Sequence, residues 1–115
     1  MGLAKELRSR RKLNVREILV PEWGDDSGDF KMYSKPLTCY DLNVIQKKHP
    51  NFLINTSIAS MVDLIVMKAE SVDGDKLFTS GEDKIDLMGE ETSIISEIAN
   101  QMFSEIEDQQ EAEKN

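Results

Sequence analysis

The chain has 115 residues, 39% of them hydrophobic and 31% charged, enough for one domain that buries roughly 60–70% of its unfolded surface and too little for a second independent core. Its net charge of -8 is uneven: residues 1–20 hold six Lys or Arg against two Glu, so the remainder sums to -12, a body that repels polyanions. No apolar run approaches the roughly 20 residues that cross a bilayer, and the opening MGLAKELRSRRKLN is charged where a secretory leader holds its apolar centre, so a soluble, cytosolic chain is expected.

Leu3 to Lys12 has helical propensity but few apolar positions (Leu3, Ala4, Leu7 and the following Leu13), so its order is expected to need a partner. Its basic residues Arg8, Arg10, Arg11 and Lys12 could grip phosphate, yet without interleaved aromatics they read as a solvated helix or arm. Val15 to Val20 is β-branched enough for a strand, DDSGD is a turn by composition, and Phe30 to Tyr33 can return antiparallel. Between strand and turn stands Pro21-Glu22-Trp23-Gly24. Proline withholds a ladder N–H, glycine lets the backbone turn, and Trp23 reads as a large core residue. A small hairpin or meander results, stable only if helices cover one face.

Thr38 and Asp41 resemble a capping box, after which Cys39, Leu42 and Ile45 share a helical face; Lys47 and Lys48 suit the last turn, and Pro50 ends the helix. Ser57 to Glu70 is apolar nearly all round and is expected to be the central core helix. Asp73-Gly74 predicts a turn, Leu77-Phe78 a short extended piece, and Thr79 or Ser80 the N-cap of a short helix over Glu82 to Met88 that stops at Gly89. The last helix, about Glu91 to Ile106, sets Ile94, Ile98, Met102 and Ile106 in one row and Ile95, Ala99 and Phe103 in the next. That apolar arc is wide enough either for two internal neighbours or for a core contact and a partner contact together. The acidic end beyond it is expected to fray or stay disordered.

No catalytic constellation assembles from these residues. His49 sits beside Pro50 at a helix end, where a solvated side chain explains it better than a general base, and Cys39 reads as a small hydrophobe on an apolar face. A lone Cys excludes an internal disulfide and, with no second Cys or clustered His, a zinc site. The acidic clusters Asp25-Asp26-Asp29 and Asp73-Asp75 lack calcium-loop spacing, and the glycines are scattered through turns and caps. The residues therefore predict a non-enzymatic, cofactor-free, metal-free interaction domain. Its fold is α+β and helix-dominated, with a small antiparallel hairpin or meander packed on a bundle of about three to four helices. It divides into a basic, mobile segment (1–14), a folded domain (15–106) and an acidic, disordered tail (107–115).

The order of VREILVPEWG, an acidic turn, a second strand, PLTCYDLNVIQKK, an apolar helix, VDGDKLFTSGEDKIDLMGE and a terminal amphipathic helix resembles the tail assembly chaperones of long-tailed bacteriophages and prophages. The motifs carrying the resemblance are Val20 to Gly24, Leu37-Thr38, Asp73 to Phe78, and Asp83 to Gly89 followed by Glu91 to Ile106. The turn DDSGDF is longer and more acidic than many relatives carry, and Val72 stands where an acid is common. The resemblance implies a chain that binds the long helical tape-measure protein, keeps it soluble and helps recruit tail tube subunits. It implies homo-oligomers, action in the cytoplasm of the bacterial host, absence from the finished particle, and a longer frameshifted form beside this shorter one. Nucleic acid and membrane are not among the implied partners. Pro21, Glu22, Trp23 and Gly24 are expected to be structural, and Ile98, Met102, Phe103 and Ile106 to contact the partner, so that charge at Met102 or Ile106 weakens binding without unfolding. Readings from other classes are a nucleic-acid-associated regulator using the basic segment, or a generic adaptor.

Overall fold

The strand propensity of residues 16–20 and the turn chemistry of DDSG fold one hairpin, whose inner face is covered by later segments of the chain. The computed structural model describes residues 2–10, 15–79 and 81–114, with side chains through residue 103. Among these, the elements are α1 (Leu3–Arg10), β1 (Arg16–Asp25), β2 (Gly28–Ser34), α2 (Cys39–Lys48), α3 (Ile58–Lys68), α4 (Glu82–Met88) and α5 (Thr92–Lys114). The fold is α+β and helix-dominated, and the sheet is a two-stranded antiparallel hairpin.

Ile18 and Val20 of β1 and Met32 of β2 point into the core, each no more than 2% exposed, in the period-two alternation a half-buried strand requires. The strand does not end at Val20, as the proline suggested, but runs through Pro-Glu-Trp-Gly to Asp25. Register explains how. Val20 pairs with Phe30 and Asp25 with Gly28, so residues 21–24 face Asp29 alone across an interrupted ladder. Such a bulge tolerates a proline without loss of a ladder hydrogen bond. Gly24 has a further reason to be glycine: a Cβ there would lie 2.6 Å from the Gly28 carbonyl oxygen. On its other edge, β2 exchanges hydrogen bonds of 2.8 Å between Tyr33 and Glu70, and the Leu77 N–H donates to Ala69 O at 3.1 Å, so the segments after α3 extend the sheet by isolated bridges.

The expected capping box holds α2: the Asp41 N–H donates to Thr38 Oγ1 at 3.1 Å, and the Thr38 N–H donates to Asp41 Oδ2 at 2.9 Å. The same carboxylate takes a Lys68 ammonium at 2.8 Å, tying α2 to the end of α3. Burial alone would raise the Asp41 carboxyl, but the Lys68 and Thr38 hydrogen bonds prevail and hold it below the ordinary value.

Helix α3 is the central helix, with Val62, Leu64 and Ile65 wholly buried. Each such side chain contributes roughly 1.5–3 kcal/mol through its burial. Ahead of α4, the N-cap is Gly81 at φ 141°, without a side-chain cap. Thr79, expected as that cap, instead donates its N–H and hydroxyl to Asp83 Oδ2, at 2.7 and 3.0 Å, while Ser80 lies outside the described residues. Gly89 ends α4 in right-handed geometry at φ -86°. Helix α5 continues to Lys114, past the expected end at Ile106, and packs on α3 and β1. No helix among the described residues is long and apolar enough to cross a membrane.

Candidate partner-binding surface

The apolar arc of α5 is shared between two internal neighbours. Ile94, Ile95, Ile98, Ala99 and Met102 are all buried, and Ile98 and Met102, expected as partner contacts, are only 1% and 4% exposed. Packing between α3 and β1 needs both rows of α5, so these residues belong to the core rather than to a surface. Phe103 is the exception. It is half-buried at the rim of the core, its ring 5.2 Å from that of Phe52. The Ile106 side chain lies outside the described residues.

Phe52 reaches Phe103 because the chain turns twice after α2. Pro50 stops the helix, the Phe52 N–H donates to His49 O and the Ile54 N–H to Asn51 O, both at 2.9 Å, and the Thr56 hydroxyl donates to Phe52 O at 2.6 Å. Consecutive side chains diverge in such tight turns. Phe52 points inward at 1% exposure, and Leu53 and Ile54 point outward at 59% and 89%. On α2, Tyr40 (81%) and Val44 (49%) stand one turn apart, on a face turned away from buried Ile45. Four large apolar side chains are thus exposed on α2 and the turn that follows it. Cys39 is also exposed, contrary to its expected place in the apolar face. At 100° per residue it lies about 120° around the helix from Ile45, beyond the packed arc.

Within Pro21-Glu22-Trp23-Gly24, Trp23 alone makes an internal joint, and the other three residues are exposed. The indole of Trp23 is half-buried, edge-on to Phe30 (5.9 Å) and to Phe78 (6.3 Å), and its Nε1–H donates to Glu90 Oε2 at 2.9 Å. One side chain thereby fastens the bulge of β1 to β2, to the segment after α3 and to the loop between α4 and α5. Pro21 and Glu22 are exposed along a shallow groove between β1 and α5, lined also by Leu19, Ser93, Glu97 and Gln101.

His49 is not the solvated side chain expected of it. Its Nε2 lies 2.7 Å from Asp63 Oδ2, while Lys84 Nζ donates to Asp63 Oδ1 at 2.8 Å. Asp63 is 8% exposed in the middle of α3, so this carboxylate joins the end of α2 to α4 across the central helix. Burial pushes its carboxyl up, but the hydrogen bonds from His49 and Lys84, with the charges of Lys84 and Lys48, outweigh burial and hold it below the ordinary value. Both carboxylate oxygens of Asp63 are thus engaged, which suits a structural tie. A polar residue amid the apolar run of α3 was the sequence signal for it, since a buried carboxylate requires partners.

Among the described residues, no group of three or more His, Cys, Asp or Glu is placed to hold a metal ion. Comparison of the chain with known protein families, curated proteins and solved structures finds no match.

Proposed function

We propose that the protein is a phage tail assembly chaperone that binds the tape-measure protein, keeps it soluble before the tube forms and helps recruit tube subunits. The observation that supports this reading is the exposed apolar group Tyr40, Val44, Leu53 and Ile54, set beside the Phe52–Phe103 contact on an otherwise strongly acidic body. A long amphipathic helix presents apolar stripes that associate indiscriminately, and a partner that covers them while showing charge to solvent keeps the pair dispersed. Phe103 retains its expected role as a contact residue, now with α2 and the following turn in place of Ile98 and Met102. The work requires no bond making, cofactor or metal, and it belongs in the host cytoplasm rather than the finished particle.

The test is co-expression with the tape-measure protein that this reading assigns as the partner. Solubility of that protein is expected to depend on the chain and to fall with Ile54→Glu and Tyr40→Glu, whose own folds should be intact because both residues face water. A tape-measure protein equally insoluble with and without the chain overturns the reading. So does tight DNA binding with a steep salt dependence, the mark of a regulator acting through its basic segment.

A further inference from the structure

The lysines of the folded body are unevenly engaged. Lys31, Lys35, Lys68 and Lys84 each meet a carboxylate of the chain, those of Glu17, Glu70, Asp41 and Asp63, at 3.9, 3.6, 2.8 and 2.8 Å. Among the described residues, Lys47 and Lys48 at the end of α2 make no such pair, and neither does Lys76 in the bridge after α3. Only the charge of Lys48 is felt inside the chain, by Asp63.

Helical geometry sets these two lysines on the apolar face already described. At 100° per residue, Tyr40, Val44, Lys47 and Lys48 fall within about 100° of one another around α2, and all four are exposed. Val44 lies about 6 Å along the axis from Tyr40, and the lysines about one turn further. Asn43 and Cys39 complete the exposed side, which holds no acid: Asp41, the one acid of α2, is turned to Thr38 and Lys68. The turn that follows adds exposed Leu53 and Ile54, and residues 49–57 include no Asp, Glu, Lys or Arg. Charges beyond about 8 Å are screened at physiological salt, so a partner here meets two ammonium groups beside apolar area and not the net charge of -8.

We infer that this face takes an acidic amphipathic helix, whose apolar side chains cover Tyr40, Val44, Leu53 and Ile54 and whose Asp or Glu, about one turn along from them, meet Lys47 and Lys48. The pair Tyr40–Val44 forms the i,i+4 ridge over which another helix packs. Complementary charge then selects among apolar stripes that would otherwise bind alike. Nucleic acid fits poorly, since phosphate binding draws on a run of cations and here four large apolar side chains accompany two. An anionic bilayer would draw the same residues but would also face the acids of the body across a broad plane, whereas a helix covers this strip alone. The inference rests on the tape-measure reading for the identity of the partner and adds which stretches of it are held, those whose apolar stripe is edged with acid.

Two synthetic helices with one shared Leu stripe, differing only in Glu or Lys at the flanking positions, test it by titration into the full chain at physiological salt. The Glu-flanked helix is expected to bind roughly tenfold tighter or more. Lys47→Glu/Lys48→Glu should invert the preference, and Tyr40→Glu should weaken both helices. Lys47→Glu alone, which keeps the Lys48 charge near Asp63, should move the preference the same way with an unchanged melting temperature. Equal binding of the two helices, binding of neither, or a preference that survives the double reversal overturns the inference. Capture of phosphatidylserine vesicles in place of the Glu-flanked helix, lost in the double variant, does so as well. Co-expression keeps the two conclusions apart. A tape-measure protein held in solution equally by the parent and by the Lys47→Glu/Lys48→Glu chain overturns the inference and spares the reading. A Glu-flanked helix that binds as described, beside a tape-measure protein that stays insoluble, does the reverse.

Discussion

The indole N–H of Trp23 donates to the carboxylate of Glu90 at 2.9 Å, across 67 residues of sequence. The bond closes the bulge of β1 onto the loop that precedes α5, and Trp23→Phe removes the donor while keeping an aromatic ring against Phe30 and Phe78. A loss of about 1–2 kcal/mol is expected, because the acceptor is charged and half-buried. Glu90→Gln should soften the loss, and a double-mutant cycle read by chemical denaturation measures the coupling.

Asp63 makes stability dependent on acid. Its carboxyl is held below the ordinary value, so the folded chain keeps its proton off at a pH where the unfolded chain has taken it up. The stabilisation is therefore complete above the unfolded value of about 4 and is lost as pH falls through the lower folded value. Asp63→Asn should lower neutral-pH stability by about 1–3 kcal/mol, less than a fully buried pair because His49 and Lys84 reach water. It should also flatten the decline below pH ~4 in melting curves recorded across pH.

At Gly24, backbone meets backbone. A methyl group 2.6 Å from the Gly28 carbonyl must push the strands apart, since neither wall is a side chain that can rotate away. Gly24→Ala is expected to cost about 1–3 kcal/mol. Amide exchange at the Asp25–Gly28 end of the hairpin should quicken most. Gly2→Ala, which meets nothing within 4 Å, is the neutral control.

Charge at Met102 and at Ile54 should separate core from surface. Met102 is 4% exposed, so Met102→Glu places an unpaired carboxylate among apolar neighbours and is expected to melt the domain or cost several kcal/mol. Ile54→Glu, at 89% exposure, should stay within about 0.5 kcal/mol of the parent. Thermal melts of the two variants make the comparison. A cooperative, unshifted melt for Met102→Glu contradicts its burial.

Much of the fold was legible because its signals are short-range. The Thr38–Asp41 capping box, the turn after β1, the apolar circumference of α3 and the stop at Gly89 each depend on residues within a few positions of one another. The errors fell where a local rule met a distant neighbour. Pro21 breaks a regular ladder, but β2 slips its register to accommodate it. The width of the α5 arc was readable, and its division between α3 and β1 was not. Cys39 carried the right period and fell just outside the packed arc of α2.

Sequence alone determined the helix-dominated α+β class, the element order, the acidic body behind a basic start and the identity of the central helix, because periodicity, capping and charge are properties of neighbouring residues. Only the tertiary structure decided that Ile98 and Met102 are interior, that Phe52 meets Phe103 and leaves Leu53 and Ile54 in water, and that His49 and Lys84 converge on Asp63. Those outcomes depend on which surfaces meet across long stretches of chain. A period tells which side of a helix is apolar, while the neighbours that pack against it determine how much of that side remains exposed.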